Sequence, residues 1–404
     1  MAPRLNPRAG SPEADTGPRR TKLADGRELL YFFDDPGTPE LTVPARDTRQ
    51  LPQRPGTPRM RYDRLLGEWI SYAEHRQTRT HLPPASQCPL CPSGPGRATE
   101  IPAASYDVAV FENRFPSFGP GAGPGEPALE QLEPEQPDPG KPDAGQPGPA
   151  ADAPAGGRCE VVAFAPEHQA SFAGLSPERV RTVVRAWVHR TAELSRLPGI
   201  EQVFIFENRG ADIGVTLHHP HGQIYAYPFA APRTLRQLEA VQSHFEETGS
   251  DLFQDLLDRE QEEGTRVVVQ GGRWTAYVPY AARMPIEIHL VPHRRVPDLA
   301  SLTDEEQEEL AVIYPEILRR IDALYPTPTP YISAWYQAPV NHPGRSSYRL
   351  HLQVTSPRRA EDKLKYLAGS EAAMGAFIAD VSPEETAARL RSVPSSAGSA
   401  GGKQ

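Results

Sequence analysis

The stretch "LSPERVRTVVRAWVHRTAEL", residues 175–194, carries a full set of signals for one long helix. Ser176 is a preferred N-cap residue, and Pro177 suits the first helical position, where no backbone hydrogen bond is lost. Apolar residues then recur at helical spacing: Val180, Val183, Val184 and Trp187. The flanking stretches "RCEVVAFAP" (158–166) and "EQVFIFEN" (201–208) are rich in β-branched and aromatic residues. The predicted order is strand, helix, strand.

The same order returns in the second half of the chain. "RWTAYVPY" (273–280) and "IEIHLVPH" (286–293) predict strands, and a Thr303–Glu306 capping box starts a helix over 302–324. "PYISAWYQAP" (330–339) and "YRLHLQVTSP" (348–357) predict further strands. When the two halves are aligned in this order, His219 matches His351 and His221 matches Gln353. A period of roughly 130 residues indicates a duplicated domain of helices and strands, because solenoid repeats are only about 20–50 residues long.

Three segments lack the apolar side chains that a folded core needs. They are residues 1–22, residues 394–404, and the acidic segment 119–157, which is rich in Pro, Gly and Ala. Such compositions do not offset the entropy of ordering the chain, so we expect all three to be disordered. Between them we expect a first domain at 23–230, a helical connector at 231–265 and a second domain at 266–393.

Composition limits the class of partner. The net charge of the 404 residues is -9, which disfavours a general nucleic-acid or anionic-membrane surface but allows a local basic pocket for one phosphorylated ligand. The N-terminus lacks the apolar core of a signal peptide, and no run approaches the ~18 apolar residues of a membrane span. Three cysteines are too few for a disulfide framework. We expect a cytoplasmic protein with no nucleic-acid or membrane partner.

The stretch "LHHPHGQIYAYP" (217–228) holds three of the twelve histidines. In a strand, His219, His221 and Gln223 share one face. A single histidine there is often only a hydrogen-bonded filler, but the cluster favours metal binding or nucleophilic chemistry. We expect Gly222 to leave room for an approaching phosphate and Gln223 to donate to a phosphoryl oxygen.

Partners for a metal site lie upstream. "CPLC" places Cys88 and Cys91 at zinc-ligand spacing, and His168 follows a predicted strand, so one histidine of the cluster would complete a Cys2His2 site. A redox pair is the alternative, which the flanking prolines disfavour. Four protein ligands leave no position for water, so the predicted zinc is structural, and the neighbouring histidine is held rigidly as a nucleophile.

The motif His-Pro-His-Gly-Gln after "FENRGADIGVTLH", with "CPLC" upstream, resembles the galactose-1-phosphate uridylyltransferase family of the histidine triad superfamily. The resemblance implies an α+β fold with two tandem histidine-triad-like domains, each a mostly antiparallel sheet (half-barrel) with packed helices. It implies a homodimer that converts UDP-glucose and galactose 1-phosphate to glucose 1-phosphate and UDP-galactose. The implied mechanism is ping-pong through a uridylylated histidine.

The resemblance also implies roles for individual residues. His221 is the nucleophile, Gln223 contacts the phosphoryl oxygens, and one structural zinc per chain is held by Cys88, Cys91, His168 and His219. The substrate-binding positions are Arg76, Arg79, Asn113, Glu207, Asn208, Thr216, Lys365 and Glu371. The last two would reach the ligand of the neighbouring subunit. Two departures affect substrate contacts: Arg114 stands where the family often has aspartate, and Ser370 where it often has tyrosine.

A second metal, often iron, is held in some members by a glutamate and three histidines. The matching positions here are Gln237, Tyr336, His351 and Gln353, so we expect no second metal site and interpret His351 as a hydrogen-bonded strand histidine. Two alternatives stay open. The same fold could act as an ADP-sugar or dinucleotide phosphorylase, or it could be a zinc-stabilised nucleotide-binding module without turnover, although the intact His221 and Gln223 argue against the module.

Overall fold

The computed structural model describes residues 17–35, 46–52, 54, 56–78, 82–119 and 151–394. The helices of eight or more residues are α1 (Pro177–Leu194), α2 (Pro232–Thr248), α3 (Leu252–Glu263), α4 (Asp304–Asp322) and α5 (Pro383–Ser392). The strands of the first half are β1 (Arg19–Lys22), β2 (Glu28–Phe32), β3 (Arg59–Asp63), β4 (Glu68–Tyr72), β5 (Val108–Glu112), β6 (Asp152–Pro154), β7 (Arg158–Ala163), β8 (Gln202–Arg209) and β9 (His221–Tyr227). Those of the second half are β10 (Val267–Gln270), β11 (Trp274–Tyr277), β12 (Ile286–Pro292), β13 (Tyr331–Tyr336), β14 (His351–Ser356), β15 (Arg358–Ala360) and β16 (Lys363–Leu364).

One sheet of eleven strands runs through both halves, in the order β1-β2-β5-β7-β9-β8-β13-β14-β12-β11-β10. All of its neighbouring strands pair antiparallel. The order β7-β9-β8 in the first half is mirrored by β13-β14-β12 in the second, and β8 pairs with β13 at the join. The α+β class and the duplication are confirmed, and the two expected sheets form one continuous sheet.

Helices α1, α4 and α5 cover one face of this sheet and form the main core with it. Helix α1 begins as predicted, because the Ser176 hydroxyl accepts a hydrogen bond from the Arg179 backbone N–H at 3.2 Å. Its apolar stripe is buried together with residues of α4, such as Leu310 and Ile317. Helix α4 begins with the predicted Thr303–Glu306 capping box. On the opposite face, α2 and α3 pack over the second half, where Gln237 lies near His351 and Leu257 packs with Val291. The first half of that face, called the open face below, is therefore the part available for a site.

Two segments that we expected to be disordered contain strands. Residues 19–22 form β1, which pairs with β2, and the Arg20 guanidinium lies 2.8 Å from the Glu28 carboxylate. This strand lies at the sheet edge, where charged side chains are tolerated. Residues 152–154 form β6, which pairs with β3 and buries Ala153 against Met60. The expectation of disorder is therefore wrong for these two strands, and residues 1–16, 120–150 and 395–404 lie outside the described residues.

The segment 231–265 holds α2 and α3, as expected of a helical connector. Strands β4, β3 and β6 form a separate sheet of three strands in the first half. Among the described residues, no helix is long and apolar enough to cross a membrane.

Candidate active site

Four side chains from distant parts of the chain meet on the open face of the sheet: Cys88, Cys91, His168 and His219. Their ligand atoms all lie within 4.8 Å of one another. The Cys91 Sγ lies 3.5 Å from His168 Nδ1 and 3.6 Å from His219 Nδ1. A tetrahedral zinc with bonds of about 2.3 Å to sulfur and about 2.05 Å to nitrogen separates those atoms by about 3.6 Å. The donor set therefore fits one metal ion.

The far side of the His219 ring is fixed by hydrogen bonds that suit a ligand. His219 Nε2 lies 2.8 Å from the Ala165 carbonyl, which can only accept, so the ring proton is on Nε2 and the Nδ1 lone pair faces the thiols. The Tyr106 hydroxyl lies 3.0 Å from the same Nε2. Burial lowers the pKa of His219 to about 4 and keeps the ring neutral, while it raises the pKa of the Cys88 thiol to about 11. Metal binding would therefore release a thiol proton.

His221 lies two residues further on, at the start of β9, and its ring is also held by a hydrogen bond to a backbone carbonyl. Its Nδ1–H donates to the His219 carbonyl at 2.7 Å, which leaves Nε2 unprotonated. Burial lowers the pKa of His221, so the neutral imidazole is the stable form. An unprotonated Nε2 held by the backbone is available for attack on an electrophile.

A cavity of about 190 Å³ contains the His221 side chain. Half of its lining residues are apolar, namely Pro89, Leu90, Phe111, Phe115, Val161 and Leu217. The other half are polar, namely Glu100, Asn113, Arg114, Thr216, His221 and Gln223. Four of the predicted site residues, Asn113, Thr216, His221 and Gln223, are thus brought together. Apolar surface combined with placed polar groups is typical of a small-ligand site.

Strand register shows how the cavity is arranged. Phe111, Val161 and Gln223 form one row across β5, β7 and β9. The row on one side contains His221, which pairs with Ala163. The row on the other side contains Asn113, whose N–H donates to the Cys159 carbonyl at 2.8 Å. The rows of His221 and Asn113 are four residues apart along β7, which is about 13 Å at 3.3 Å per residue. His221 and Asn113 therefore lie toward opposite ends of the cavity.

Glu100 and Arg114 also line the cavity, and the residue patterns did not identify either as a site residue. The Glu100 carboxylate is held by Arg27 at 2.5 Å and by Arg49 at 2.9 Å, and Arg114 lies 3.9 Å from it. The position of Glu100 depends on the loop after "CPLC", where its N–H donates to the Pro89 carbonyl at 2.9 Å. No periodic signal marks such a loop, so only the tertiary structure reveals Glu100, whereas Arg114 directly follows the predicted position Asn113.

Gly222 does not face the cavity. In β9 the residues alternate between half-buried and fully buried, and Gly222 belongs to the buried set that packs toward the helices. A Cβ atom built on it would lie 2.8 Å from Phe164 Cζ and 3.1 Å from the Phe206 carbonyl oxygen. The expectation that Gly222 makes room for a phosphate is therefore corrected: the glycine makes room for Phe164.

Strand alternation also separates Glu207 from Asn208. In β8, Phe206 pairs with Gln223, and the same register continued two residues places Asn208 beside His221 on the open face. Glu207 lies on the opposite, helix-covered face among buried side chains that include Tyr331, and burial raises the pKa of its carboxyl to about 8. This corrects the expectation that Glu207 binds substrate, because the sheet stands between it and the cavity.

Arg76, Lys365 and Glu371 are not among the residues that line the cavity. Arg76 donates to the hydroxyl groups of Ser117 and Tyr225, the latter at 3.2 Å. Lys365 and Glu371 form an ion pair at 3.2 Å in the segment after β16, which does not line the cavity. Arg79 falls outside the described residues.

In the second half, the positions of the family's other metal site form a hydrogen-bonded cluster. His351 Nε2 lies 3.4 Å from the Gln237 amide nitrogen and 3.3 Å from that of Gln353, and the Tyr336 ring stacks on the His351 ring at 4.9 Å. Burial lowers the pKa of His351 to about 3. This arrangement agrees with the interpretation of His351 as a hydrogen-bonded strand histidine.

Comparisons with known proteins identify the family. Residues 49–231 match the family described as "Galactose-1-phosphate uridyl transferase, N-terminal domain", and residues 237–399 match its C-terminal domain. A galactose-1-phosphate uridylyltransferase of Streptomyces lividans is 44% identical over 389 residues, which cover 92% of this chain and 97% of that protein. One of Thermotoga maritima is 34% identical, over 82% of this chain and 97% of that protein.

Solved structures agree with these matches. A structure titled "Structure of uridylyltransferase" has a TM-score of 0.67 and 30% identity, and it covers 82% of this chain and 97% of that one. An ADP-glucose phosphorylase from Arabidopsis thaliana is similar in fold, with a TM-score of 0.58, 20% identity, and coverage of 84% of this chain and all of that one. The chain belongs to the galactose-1-phosphate uridylyltransferase family.

Proposed function

We propose that this enzyme is a UDP-glucose–hexose-1-phosphate uridylyltransferase of galactose catabolism, which exchanges UMP between UDP-glucose and galactose 1-phosphate. The observation that carries the proposal is the His221 ring. Its Nδ1–H is bound to the His219 carbonyl at 2.7 Å, and its free Nε2 belongs to the cavity that also contains Gln223. This is the geometry that a nitrogen nucleophile for phosphorus requires.

The reaction balances in two displacements. In the first, His221 Nε2 attacks the α-phosphorus of UDP-glucose, an N–P bond forms, and the P–O bond to the β-phosphate breaks to release glucose 1-phosphate. In the second, a phosphate oxygen of galactose 1-phosphate attacks the same phosphorus and the N–P bond breaks to release UDP-galactose. The Gln223 amide, with support from Thr216 and Asn208, would stabilise the charge that develops on the phosphoryl oxygens.

The apolar part of the cavity between His221 and Asn113 suits the nucleoside. Phe111, Val161 and Leu217 offer apolar surface for a base, and the Asn113 side chain offers both donors and acceptors for its polar groups. Arg76 and Arg79 remain proposed contacts for the substrate phosphates, since a guanidinium fork fits a phosphate group.

We further propose that Cys88, Cys91, His168 and His219 hold one structural zinc. The S–N separations of 3.5 and 3.6 Å support this ion, and four protein ligands leave no position for a reacting water. When bound, the ion would supply rigidity rather than chemistry, because it would hold His219, whose carbonyl orients His221. The free thiols of all three cysteines support a reducing, cytoplasmic compartment.

We also propose that the enzyme is a homodimer. The hairpin of β3 and β4 exposes large apolar side chains: Leu65 and Leu66 at its turn, with Ile70 and Tyr72 on β4. The segment after β16 exposes Tyr366, Met374 and Ile378. Clustered apolar exposure of this kind is typical of protein interfaces. In such a dimer, Lys365 and Glu371 would contact the ligand of the neighbouring subunit.

The deciding experiment is incubation of the protein with UDP-glucose alone, followed by mass spectrometry of the peptide that carries His221. We expect a uridylyl adduct on His221 and release of glucose 1-phosphate, and galactose 1-phosphate should then discharge the adduct as UDP-galactose. His221→Asn should form no adduct while its melting temperature stays near that of the wild type. Absence of both adduct and glucose 1-phosphate would refute the transferase. An adenylyl adduct from ADP-glucose in place of the uridylyl adduct would support the phosphorylase alternative.

A further inference from the structure

A chain of polar contacts leads from Arg76 through Tyr225 to Gln223. The Arg76 guanidinium donates to the Tyr225 hydroxyl at 3.2 Å, and that hydroxyl lies 3.3 Å from Gln223 Oε1. Tyr225 and Gln223 are two residues apart on β9, so both side chains are on the open face. The contacts are longer than the usual 2.7–3.0 Å, as is common for catalytic hydrogen bonds in unliganded sites.

The chemistry of these groups determines the direction of every hydrogen bond. A guanidinium can only donate, so the Tyr225 oxygen accepts from Arg76. The Tyr225 proton is then free to be donated, and the Gln223 carbonyl oxygen is the acceptor within reach. Because the Gln223 oxygen accepts this hydrogen bond, both N–H donors of the amide point away from the Tyr225 hydroxyl. A flipped amide would turn an N–H toward the hydroxyl and leave the hydroxyl proton without the acceptor that the Gln223 oxygen supplies.

Tyr225 and Arg76 are themselves held in place by neighbouring side chains. The Tyr225 ring packs edge-on against Phe206 at 5.1 Å and against Phe118 at 6.1 Å, so the hydroxyl has little freedom to move. Arg76 also donates to the Ser117 hydroxyl. A donation from a cation makes the Tyr225 hydroxyl a stronger donor in its turn.

We propose that Tyr225, held by Arg76, is a positioning residue that orients the Gln223 amide so that its N–H groups face the phosphoryl oxygens during transfer. The inference rests on the proposed function, because it assigns a role within the same site. It adds a residue that neither the motif nor the metal cluster identifies. An amide oriented before substrate binds needs no reorganisation as charge develops, so its effect falls on the chemical step rather than on binding.

The test is Tyr225→Phe, which removes the hydroxyl and keeps the ring packing. We expect the single-turnover rate of His221 uridylylation to fall by about tenfold, the effect of one hydrogen bond that acts on the transition state, with little change in the half-saturating UDP-glucose concentration. The matched control is Tyr227→Phe, on the same strand face. None of the described residues forms a hydrogen bond with the Tyr227 hydroxyl, so its variant should keep the wild-type rate.

A double-mutant cycle separates positioning from a general loss of structure. If Tyr225 acts through Gln223, then Tyr225→Phe should have little further effect in a Gln223→Ala background. Additive losses in the double variant, or a wild-type rate in Tyr225→Phe, would overturn the proposal. Failure of the wild-type protein to form any adduct would instead refute the proposed function, so the two failures are distinguishable.

Discussion

The substitution Gly222→Ala tests whether the glycine of the motif serves packing rather than substrate access. The added Cβ would meet Phe164 Cζ at 2.8 Å and the Phe206 carbonyl oxygen at 3.1 Å. Phe164 cannot move aside easily, because it is fully buried and packs edge-on against Phe172 at 5.1 Å and Trp187 at 6.2 Å. The Phe206 oxygen is part of the neighbouring strand. The methyl group must therefore displace β9 or a core aromatic ring.

The expected loss of stability follows from two opposing effects. Overpacking a core costs about 1–3 kcal/mol, and the smaller entropy of the unfolded alanine chain offsets about 0.4–1 kcal/mol of this. We expect the free energy of unfolding to fall by about 1–2 kcal/mol, seen in urea unfolding as a lower midpoint at unchanged slope. Because β9 carries His221, the rate of uridylylation should fall as well.

Gly174→Ala is the matched control, since Gly174 is exposed and a Cβ atom there makes only an ordinary contact, 3.6 Å from Ser171 Oγ. It should leave the urea midpoint and the uridylylation rate close to those of the wild type. An unfolding free energy of Gly222→Ala within about 0.5 kcal/mol of the wild type, the range of ordinary surface changes, would refute the packing argument. A variant that keeps its stability but binds UDP-glucose more weakly would instead restore the idea that Gly222 faces the ligand.

Three further predictions concern the metal cluster, a buried carboxyl and the interface. Tyr106→Phe removes a hydroxyl 3.0 Å from His219 Nε2 and should weaken zinc affinity by about 10–100-fold in competition with a chromogenic chelator; unchanged affinity would contradict the role of that contact. Burial raises the pKa of Glu207 from 4.5 to about 8, so the folded protein holds this proton more tightly than the unfolded chain. Stability should therefore fall as pH rises between about 5 and 8, by up to about 1.4 kcal/mol per pH unit, and urea unfolding of Glu207→Gln should lack that part of the slope. Leu65→Asp should weaken self-association at least about tenfold in sedimentation velocity, while Leu197→Asp, at an exposed apolar site elsewhere, should not.

Local signals were sufficient for much of the fold. Ser176 and Pro177 predicted where α1 begins, and the Thr303–Glu306 box did the same for α4, because caps and helical spacing act within a few residues. Composition was a less reliable guide to where the folded part of the chain begins and ends. The strand at 19–22 has no apolar pattern, since an edge strand forms through its backbone hydrogen bonds with β2. Only pairing with a distant partner reveals it.

For the candidate site, spacing grouped Cys88, Cys91 and His168 with the histidine cluster, and the structure brings them within reach of one ion. Glu207 was a different case. Its neighbour Asn208 lies on the open face, and adjacent residues of a strand point to opposite faces, so the two could not both contact a ligand. Alternation alone did not say which of the two faces the cavity, because that depends on how β8 pairs with β9.

The sequence by itself determined the helices, the duplication, the proposed nucleophile and the cluster that could hold a metal, since each depends on residue type and short spacing. Tertiary structure alone decided that both halves share one sheet, that Gly222 packs against Phe164, and that Glu100 joins the cavity. It also decided that Tyr225 reaches Gln223 with Arg76 behind it. These features arise from contacts between segments far apart in the chain, whose relative positions are set by strand pairing and core packing.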